Sequence, residues 1–171
     1  TRLEAWEEKL STACSTPEGP IFRALGNTLR TFDLPIRFFL DLLDAFKQDV
    51  VTDGHESWDS ILDYARRSAN PVGRIILRLF GYEDAHRDAL SDHICSALQF
   101  TNFWQDVAVD ARRGRIYLPR EEMCRFGCSG EDLSHGALTP ALVRLLASMC
   151  ERTGDMFNQG VALPELVRGR L

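Results

Sequence analysis

The chain has 171 residues, 44% of them hydrophobic, and a formal net charge of −5. That is enough apolar material for one domain with a sizeable core, and the acidic balance excludes a nucleic-acid binder of the electrostatic kind. No run of about 20 apolar residues is present, so no transmembrane helix is expected, and no signal peptide is visible. The five cysteines (Cys14, Cys95, Cys124, Cys128, Cys150) are odd in number and scattered. They make no disulfide framework and fit a reducing, cytoplasmic compartment. The chain opens on Thr1 rather than Met and stops within LVRGRL; both ends are expected to be cut from a longer protein.

Helical spacing runs almost throughout, without convincing period-two alternation. A first helix over 2–13 carries Leu3, Trp6 and Leu10. Pro17 and Pro20 begin a second, continuing through Ile21, Leu25 and Leu29. Pro35 starts a third, with Phe38, Phe39, Leu42, Leu43 and Phe46 as its apolar face. Asp41, Asp44, Lys47 and Gln48 occupy its other faces, with Asp49 beyond, and a surface ion pair of Asp44 with Lys47 explains them better than an acidic site does. Thr52–His55 reads as a loop, and Ser57 caps the next helix, which carries Trp58, Ile61, Leu62, Tyr64 and Ala65. Pro71 and Gly73 interrupt or bend the chain. Ile75, Ile76, Leu79 and Phe80 follow, closed by Gly81. Residues 84–111 are expected to form one long central helix, ended by Gly114. Pro119 opens a short helix with Met123 and Phe126, a Gly- and Ser-rich loop follows, and Thr139 caps a helix running through Leu142, Leu145, Leu146, Met149 and Phe157. With no linker, low-complexity segment or repeat, residues 1–171 read as one all-α domain, or most of one.

The richest stretch is QFTNFWQDVAVDARRGRIYLP, from Gln99 to Pro119. Gln99, Asn102, Asp106 and Asp110 are spaced three, four and four apart and stack along one helix face. Phe100, Phe103, Trp104, Val107, Ala108 and Val109 surround them, so the polar stripe is expected inside a cavity. Carboxylates one turn apart can share Mg²⁺, which prefers oxygen ligands and completes its shell with phosphate oxygens. Arg112, Arg113 and Arg115 follow, and guanidinium groups bind phosphate in fixed geometry. One of them would also complement the helix C-terminus. Arg115 is the first choice for diphosphate, with Tyr117 at alternate spacing. Tyr64 sits just before the bend, where a phenol can hydrogen-bond phosphate or face a cation. Cys124 and Cys128 could lie one helical turn apart, but no second ligand pair joins them for zinc. His55, His86, His93 and His135 show no ligand spacing.

The segment NFWQDVAVDARRGRIYLP resembles the second aspartate-rich motif of the squalene/phytoene synthase family of head-to-head prenyl transferases. Gln99, Asn102, Asp106, Asp110, Arg115 and Tyr117 all match that motif. Upstream, Tyr64, Ala69, Val72 and Gly73 in YARRSANPVG match the family's tyrosine and its bent, small-residue helix. The likeness covers essentially the whole chain. LLDAFKQDV, SANPVGRIILRLFGY and NFWQDVAVD are most similar to the bacterial hopanoid-pathway, hydroxysqualene synthase branch. Phytoene synthases more often carry Ile-Leu-Arg where this chain has Phe103, Trp104 and Gln105.

The resemblance implies an isoprenoid synthase-type helical bundle around a central cavity. It implies Mg²⁺ on Asp106, Asp110 and Asn102, and a prenyl diphosphate substrate, presqualene or farnesyl diphosphate. Tyr64, Asp106 and Asp110 would be catalytic, and Gln99, Asn102, Arg115, Tyr117, Ala69, Val72 and Gly73 would contact substrate. Leu43, Phe46, Ile76 and Phe103 are tunnel candidates. An amphiphilic substrate also implies a peripheral encounter with membrane. Two departures stand out. The family's other aspartate-rich motif, with its nearby arginine, belongs upstream of Thr1, so the chain holds one of two metal-binding walls. After QDV the family usually has Arg-Tyr, and this chain has Gly54-His55. Other readings are a phytoene synthase, a presqualene diphosphate synthase, and a catalytically inactive helical fragment or interaction module related to assembly factors.

Overall fold

Prolines and capping side chains set most of the helix boundaries. The structure, a computed structural model, describes residues 2–136 and 138–168. Thr1 and the last three residues of the basic tail, 169–171, lie outside the described residues. Helices α1 (Arg2–Ser11), α2 (Gly19–Thr31) and α3 (Arg37–Val51) come first, α2 with Pro20 in its opening turn. Ser57 and Ser60 form a reciprocal capping box at the start of α4 (Trp58–Ser68). Pro71 lies in the first turn of α5 (Asn70–Leu79). The α4–α5 break falls at Ala69, and Pro71, two residues on, has no N–H with which to continue the α4 ladder onto the Arg67 carbonyl. Asp84 caps α6 (Ala85–Gln105), its carboxylate accepting from the Arg87 N–H at 2.9 Å.

The long helix expected over 84–111 is two pieces, α6 and α7 (Val107–Arg112), parted at Asp106. The remainder is α8 (Arg120–Phe126), α9 (Gly130–Ser134), α10 (Pro140–Gly160) and α11 (Leu163–Leu166). The Gly- and Ser-rich loop thus contains a short helix, started by a capping box of Ser129 with Asp132. Gly127, at φ 72°, ends α8 in left-handed geometry. That places Cys128 off the helix carrying Cys124 and removes the one-turn spacing a metal pair would need. Among the described residues no group of three or more His, Cys, Asp or Glu side chains could hold a metal ion.

Helix α6 runs through the middle, with α5 against one side and α10 against another. Phe100, Ile61, Leu145 and Met149 are fully buried in the main core. Trp104 completes it, its indole N–H donating to the Thr153 hydroxyl at 2.9 Å while that hydroxyl donates to the Met149 carbonyl. A smaller cluster of Leu10, Phe22, Leu29, Leu34 and Leu43 joins the first helices. The α5–α6 contact is unusually close at Gly73, where a Cβ would lie 2.3 Å from Ser91 Oγ and 2.5 Å from Cys95 Sγ. Among the described residues there is no strand. The backbone of 53–56 nonetheless pairs with 116–121 through Ile116 N–H to Asp53 O, Arg120 N–H to His55 O and Glu121 N–H to Glu56 O. No helix among the described residues is long and apolar enough to cross a membrane.

Candidate active site

The break at Asp106 leaves the acidic ladder intact. Asp106 has φ −96° and ψ 10°, short of regular helix. Its N–H still donates to the Asn102 carbonyl at 2.9 Å, and its own carbonyl accepts from the Asp110 N–H at 2.9 Å. Asn102, Asp106 and Asp110 therefore follow one another turn by turn across the junction. Asn102 and Asp106 are exposed, whereas Gln99 and Asp110 are half-buried. In this chain the ladder is an open face, a correction to the expectation of an enclosed stripe. A cleft of about 780 Å³ lies on another face of α6, lined by Trp58, Leu62, Asn70, His93, Arg152 and Asp155.

Burial, and then the Asp106 charge, hold the Asp110 carboxyl above its ordinary value, with Arg113 and Arg115 opposing. Two carboxylates that repel each other, open to solvent on one side, are a hard-oxygen donor pair that a divalent cation would relieve. They fit Mg²⁺, which binds through one or two carboxylates and fills the rest with water and phosphate oxygens. The Arg115 N–H closes onto the Asp110 carbonyl at 3.0 Å, after the turn at Gly114. The exposed Arg115 lines one small cavity with Tyr117 and its charge acts on both Tyr117 and Asp110, so guanidinium, phenol and carboxylate sit together.

Tyr117 stacks on Phe103 with ring centroids 3.8 Å apart and planes 3° from parallel. Tyr64 lies 6.2 Å from each of those rings, and is buried. Its hydroxyl donates to Asp49 Oδ2 at 3.0 Å. Desolvation, reinforced by the Asp49 charge, pushes the Tyr64 phenol well above its ordinary value, so it stays protonated. Tyr117 is raised by the same causes, against Arg115. His55 joins this cluster, 5.2 Å from Tyr64 and 6.1 Å from Tyr117. Its ring extends the aromatic cluster into the 52–55 loop. Gly54 beside it permits the backbone pairing: a Cβ there would meet the Ile116 carbonyl oxygen at 2.8 Å.

The bent-helix residues divide. Ala69 and Gly73 are buried, and Gly73 is packed onto α6, so their immediate role is to let α4, α5 and α6 approach. Val72 is 45% exposed and Ile76 40%, and Phe80 continues the same four-residue spacing at 51%. On α6, Leu98 is 52% exposed one turn before Asn102. Leu98 is thus an exposed apolar side chain beside the ladder, and Val72, Ile76 and Phe80 make an exposed apolar face on α5, which packs on α6. Of the tunnel candidates, Leu43 and Phe103 are core, whereas Ile76 and Phe46 are exposed.

The acidic residues of α3 are explained by pairing, with one partner different from expectation. Asp44 pairs with Arg67, which also binds Asp63 and Gln48, while Lys47 pairs with Glu7. Arg67 reaches Asp44 because α4 packs against α3. Asp41 pairs with Arg37. Asp49 and His55 are what sequence reasoning missed as site residues. Neither shows a local spacing signal, and Asp49 meets Tyr64 only because α3 packs against α4.

The squalene/phytoene synthase family model matches residues 1–171. The chain is 39% identical over 128 residues to the hydroxysqualene synthase of Rhodopseudomonas palustris, covering 74% of this chain and 44% of that protein. It is 32% identical over 172 residues to the phytoene synthase of Mycobacterium tuberculosis, covering 98% of this chain and 57% of that one. The crystal structure of squalene synthase HpnC from Alicyclobacillus acidocaldarius superposes with a TM-score of 0.92 at 38% identity, over 97% of this chain and 64% of that chain. The chain thus spans about half the length of the curated relatives it matches. Ladder, arginine, aromatic cluster and bent helix all lie within one continuous match, and the chain belongs to the squalene/phytoene synthase family.

Proposed function

We propose that this chain carries one wall of the active site of a Mg²⁺-dependent isoprenoid diphosphate enzyme of squalene and hopanoid biosynthesis. It converts presqualene diphosphate to hydroxysqualene, or farnesyl diphosphate to squalene-type products, by diphosphate ionisation and carbocation rearrangement. The observation that carries the reading is the ladder of Asn102, Asp106 and Asp110 beside Arg115, with exposed Leu98 one turn before it and exposed Val72 and Ile76 on the helix packed against α6. A diphosphate head and a polyprenyl tail need both kinds of surface.

Asp106 and Asp110 would hold Mg²⁺, with the Asn102 amide oxygen beside them, and the ion would neutralise the leaving diphosphate. Arg115 donates charge-assisted hydrogen bonds to diphosphate oxygens. Gln99 orients the bound waters. The exposed apolar face keeps solvent from the cationic carbon, and Tyr64 presents a neutral phenol and ring face to it. An amphiphilic substrate is met at a membrane surface, with the enzyme peripheral and otherwise cytoplasmic.

The test is Asp106→Asn in the full-length protein, assayed for diphosphate release from presqualene diphosphate with Mg²⁺. Loss of that transition-state contact lowers the rate at least about tenfold, the factor carried by about 1.4 kcal/mol. Unchanged turnover refutes the assignment. A phytoene or presqualene diphosphate synthase is the second reading, favoured by the match of the phytoene synthase over 98% of this chain. Product analysis with geranylgeranyl, farnesyl and presqualene diphosphates separates them.

A further inference from the structure

A polar passage leads from the buried phenol of Tyr64 toward the surface. The Tyr64 hydroxyl donates to Asp49 Oδ2 at 3.0 Å. Asp49 lines a cavity of about 10 Å³ together with Thr52, Asp53, His55, Arg115 and Tyr117. That volume has room for about one water, and the lining offers the two to four polar partners a water needs. His55 is buried and lines this cavity, and a neutral imidazole always carries one nitrogen that can accept a proton. At the outer end the Asp53 side chain is 76% exposed and pairs with Arg120 at 3.2 Å. Phenol, carboxylate, a one-water space, imidazole and a surface carboxylate are thus contiguous across α3, the 52–55 loop and the segment after α7.

We propose that this passage is a proton exit route, with His55 as its acceptor, used when a carbocation beside Tyr64 is captured by water. The inference rests on the diphosphate-ionising reading above. The water oxygen forms a C–O bond to the cationic carbon and loses one O–H bond. Its proton passes to the Tyr64 oxygen as the phenol proton passes to Asp49. From Asp49 it crosses the cavity water to the unprotonated His55 nitrogen and leaves past Asp53. One water is consumed and no electrons are exchanged, the diphosphate having already left with its bonding pair. His55 is suited to accept: burial holds its imidazole below the ordinary value, against the Asp49 charge and with Arg67 reinforcing. Asp49 from α3, Asp53 from the loop, Tyr64 and Arg67 from α4, and Arg115 and Tyr117 beyond α7 are the titratable and charged groups around it.

The experiment uses full-length enzyme with presqualene diphosphate and Mg²⁺, measuring diphosphate release and the alcohol fraction of all products across pH 5 to 8.5. In wild type the alcohol fraction rises through one ionisation below the usual histidine range. His55→Phe lowers it about tenfold and flattens the profile, the alcohol being counted as a fraction of all products so that any change in ionisation rate drops out, since general-base assistance is lost. In His55→Ala, added imidazole restores the alcohol. An unchanged alcohol fraction in His55→Phe overturns the route, and so does a wild type that releases diphosphate but forms no alcohol. If His55→Phe fails to fold, the wild-type profile decides, and a flat one overturns the route. A wild type that releases no diphosphate instead refutes the reading of the reaction.

Discussion

Replacing Gly73 with alanine separates a packing role from a substrate contact. Gly73 is helical within α5, so propensity alone predicts that Gly73→Ala stabilises by about 0.5–1 kcal/mol. Against this, the new Cβ would stand 2.3 Å from Ser91 Oγ and 2.5 Å from Cys95 Sγ. Each of those atoms moves only by rotating χ1 on a helix, where few rotamers are open. Ser91 is 4% exposed, so rotation drives its hydroxyl into packed neighbours. Overpacking of this kind costs about 1–3 kcal/mol. Taking the upper part of that range, the net loss is about 1–2 kcal/mol, a fall in Tm of about 2–8 °C for a protein of this size. In a Ser91→Ala/Cys95→Ala background both obstructing atoms are gone, and Gly73→Ala becomes neutral or stabilising. Urea unfolding followed by circular dichroism measures all four proteins. Equal destabilisation in both backgrounds refutes the close-approach argument, as does a Gly73→Ala single variant as stable as its parent. Activity adds a second decision, because α5 carries Val72 and Ile76. Turnover that returns with stability in the triple variant makes Gly73 a spacer, whereas turnover that stays lost makes it a substrate contact.

Because the Asp110 carboxyl is held above its ordinary 3.8 in the fold, its ionisation opposes folding. Stability present below that ordinary value is lost as pH rises through the raised one, so without Mg²⁺ Asp110→Asn is more stable than its parent near neutral pH, and the gap closes toward pH 3. Thermal unfolding across pH in chelator checks this, and adding Mg²⁺ with inorganic diphosphate stabilises only the parent. Thr153→Val strands the Trp104 indole N–H in the core and costs about 1–3 kcal/mol, since an unsatisfied buried donor bears its full desolvation penalty. Adding Trp104→Phe then costs less than it does in the parent, and a double-mutant cycle with no coupling would remove the hydrogen bond from the account.

Helix boundaries were readable wherever one residue controls them locally. Pro20, Ser57, Pro71 and Thr139 stand at or beside the helix starts they mark. The ladder was readable for the same reason, since spacing along a single helix needs no tertiary knowledge. The junction at Asp106 was not, because the sequence around it keeps helical periodicity on both sides. Pairing of 53–56 with 116–121 was beyond reach for another reason. It joins segments more than sixty residues apart through backbone groups, which leave no mark on side-chain pattern. Asp49 suffered likewise: judged on its own helix it is one acid among several, and only the packing of α3 on α4 gives it Tyr64.

The same distinction explains why the ladder's environment was misjudged while its membership was not. Periodicity reports which side chains share a face, and Asn102, Asp106 and Asp110 do. Whether that face is walled in depends on what packs opposite, and here it is open, with exposed Leu98 one turn before Asn102. Val72, Ile76, Phe80 and Leu98 each remain about half exposed at regular spacing, although the core beside them is densely filled by Phe100, Ile61 and Leu77. An exposed apolar face and a pair of repelling carboxylates are each unfavourable alone. On two helices packed against each other they suit the kind of molecule proposed above, a hydrocarbon tail with a metal-bound anionic head, and that shared mismatch with water is the physical argument for the proposal.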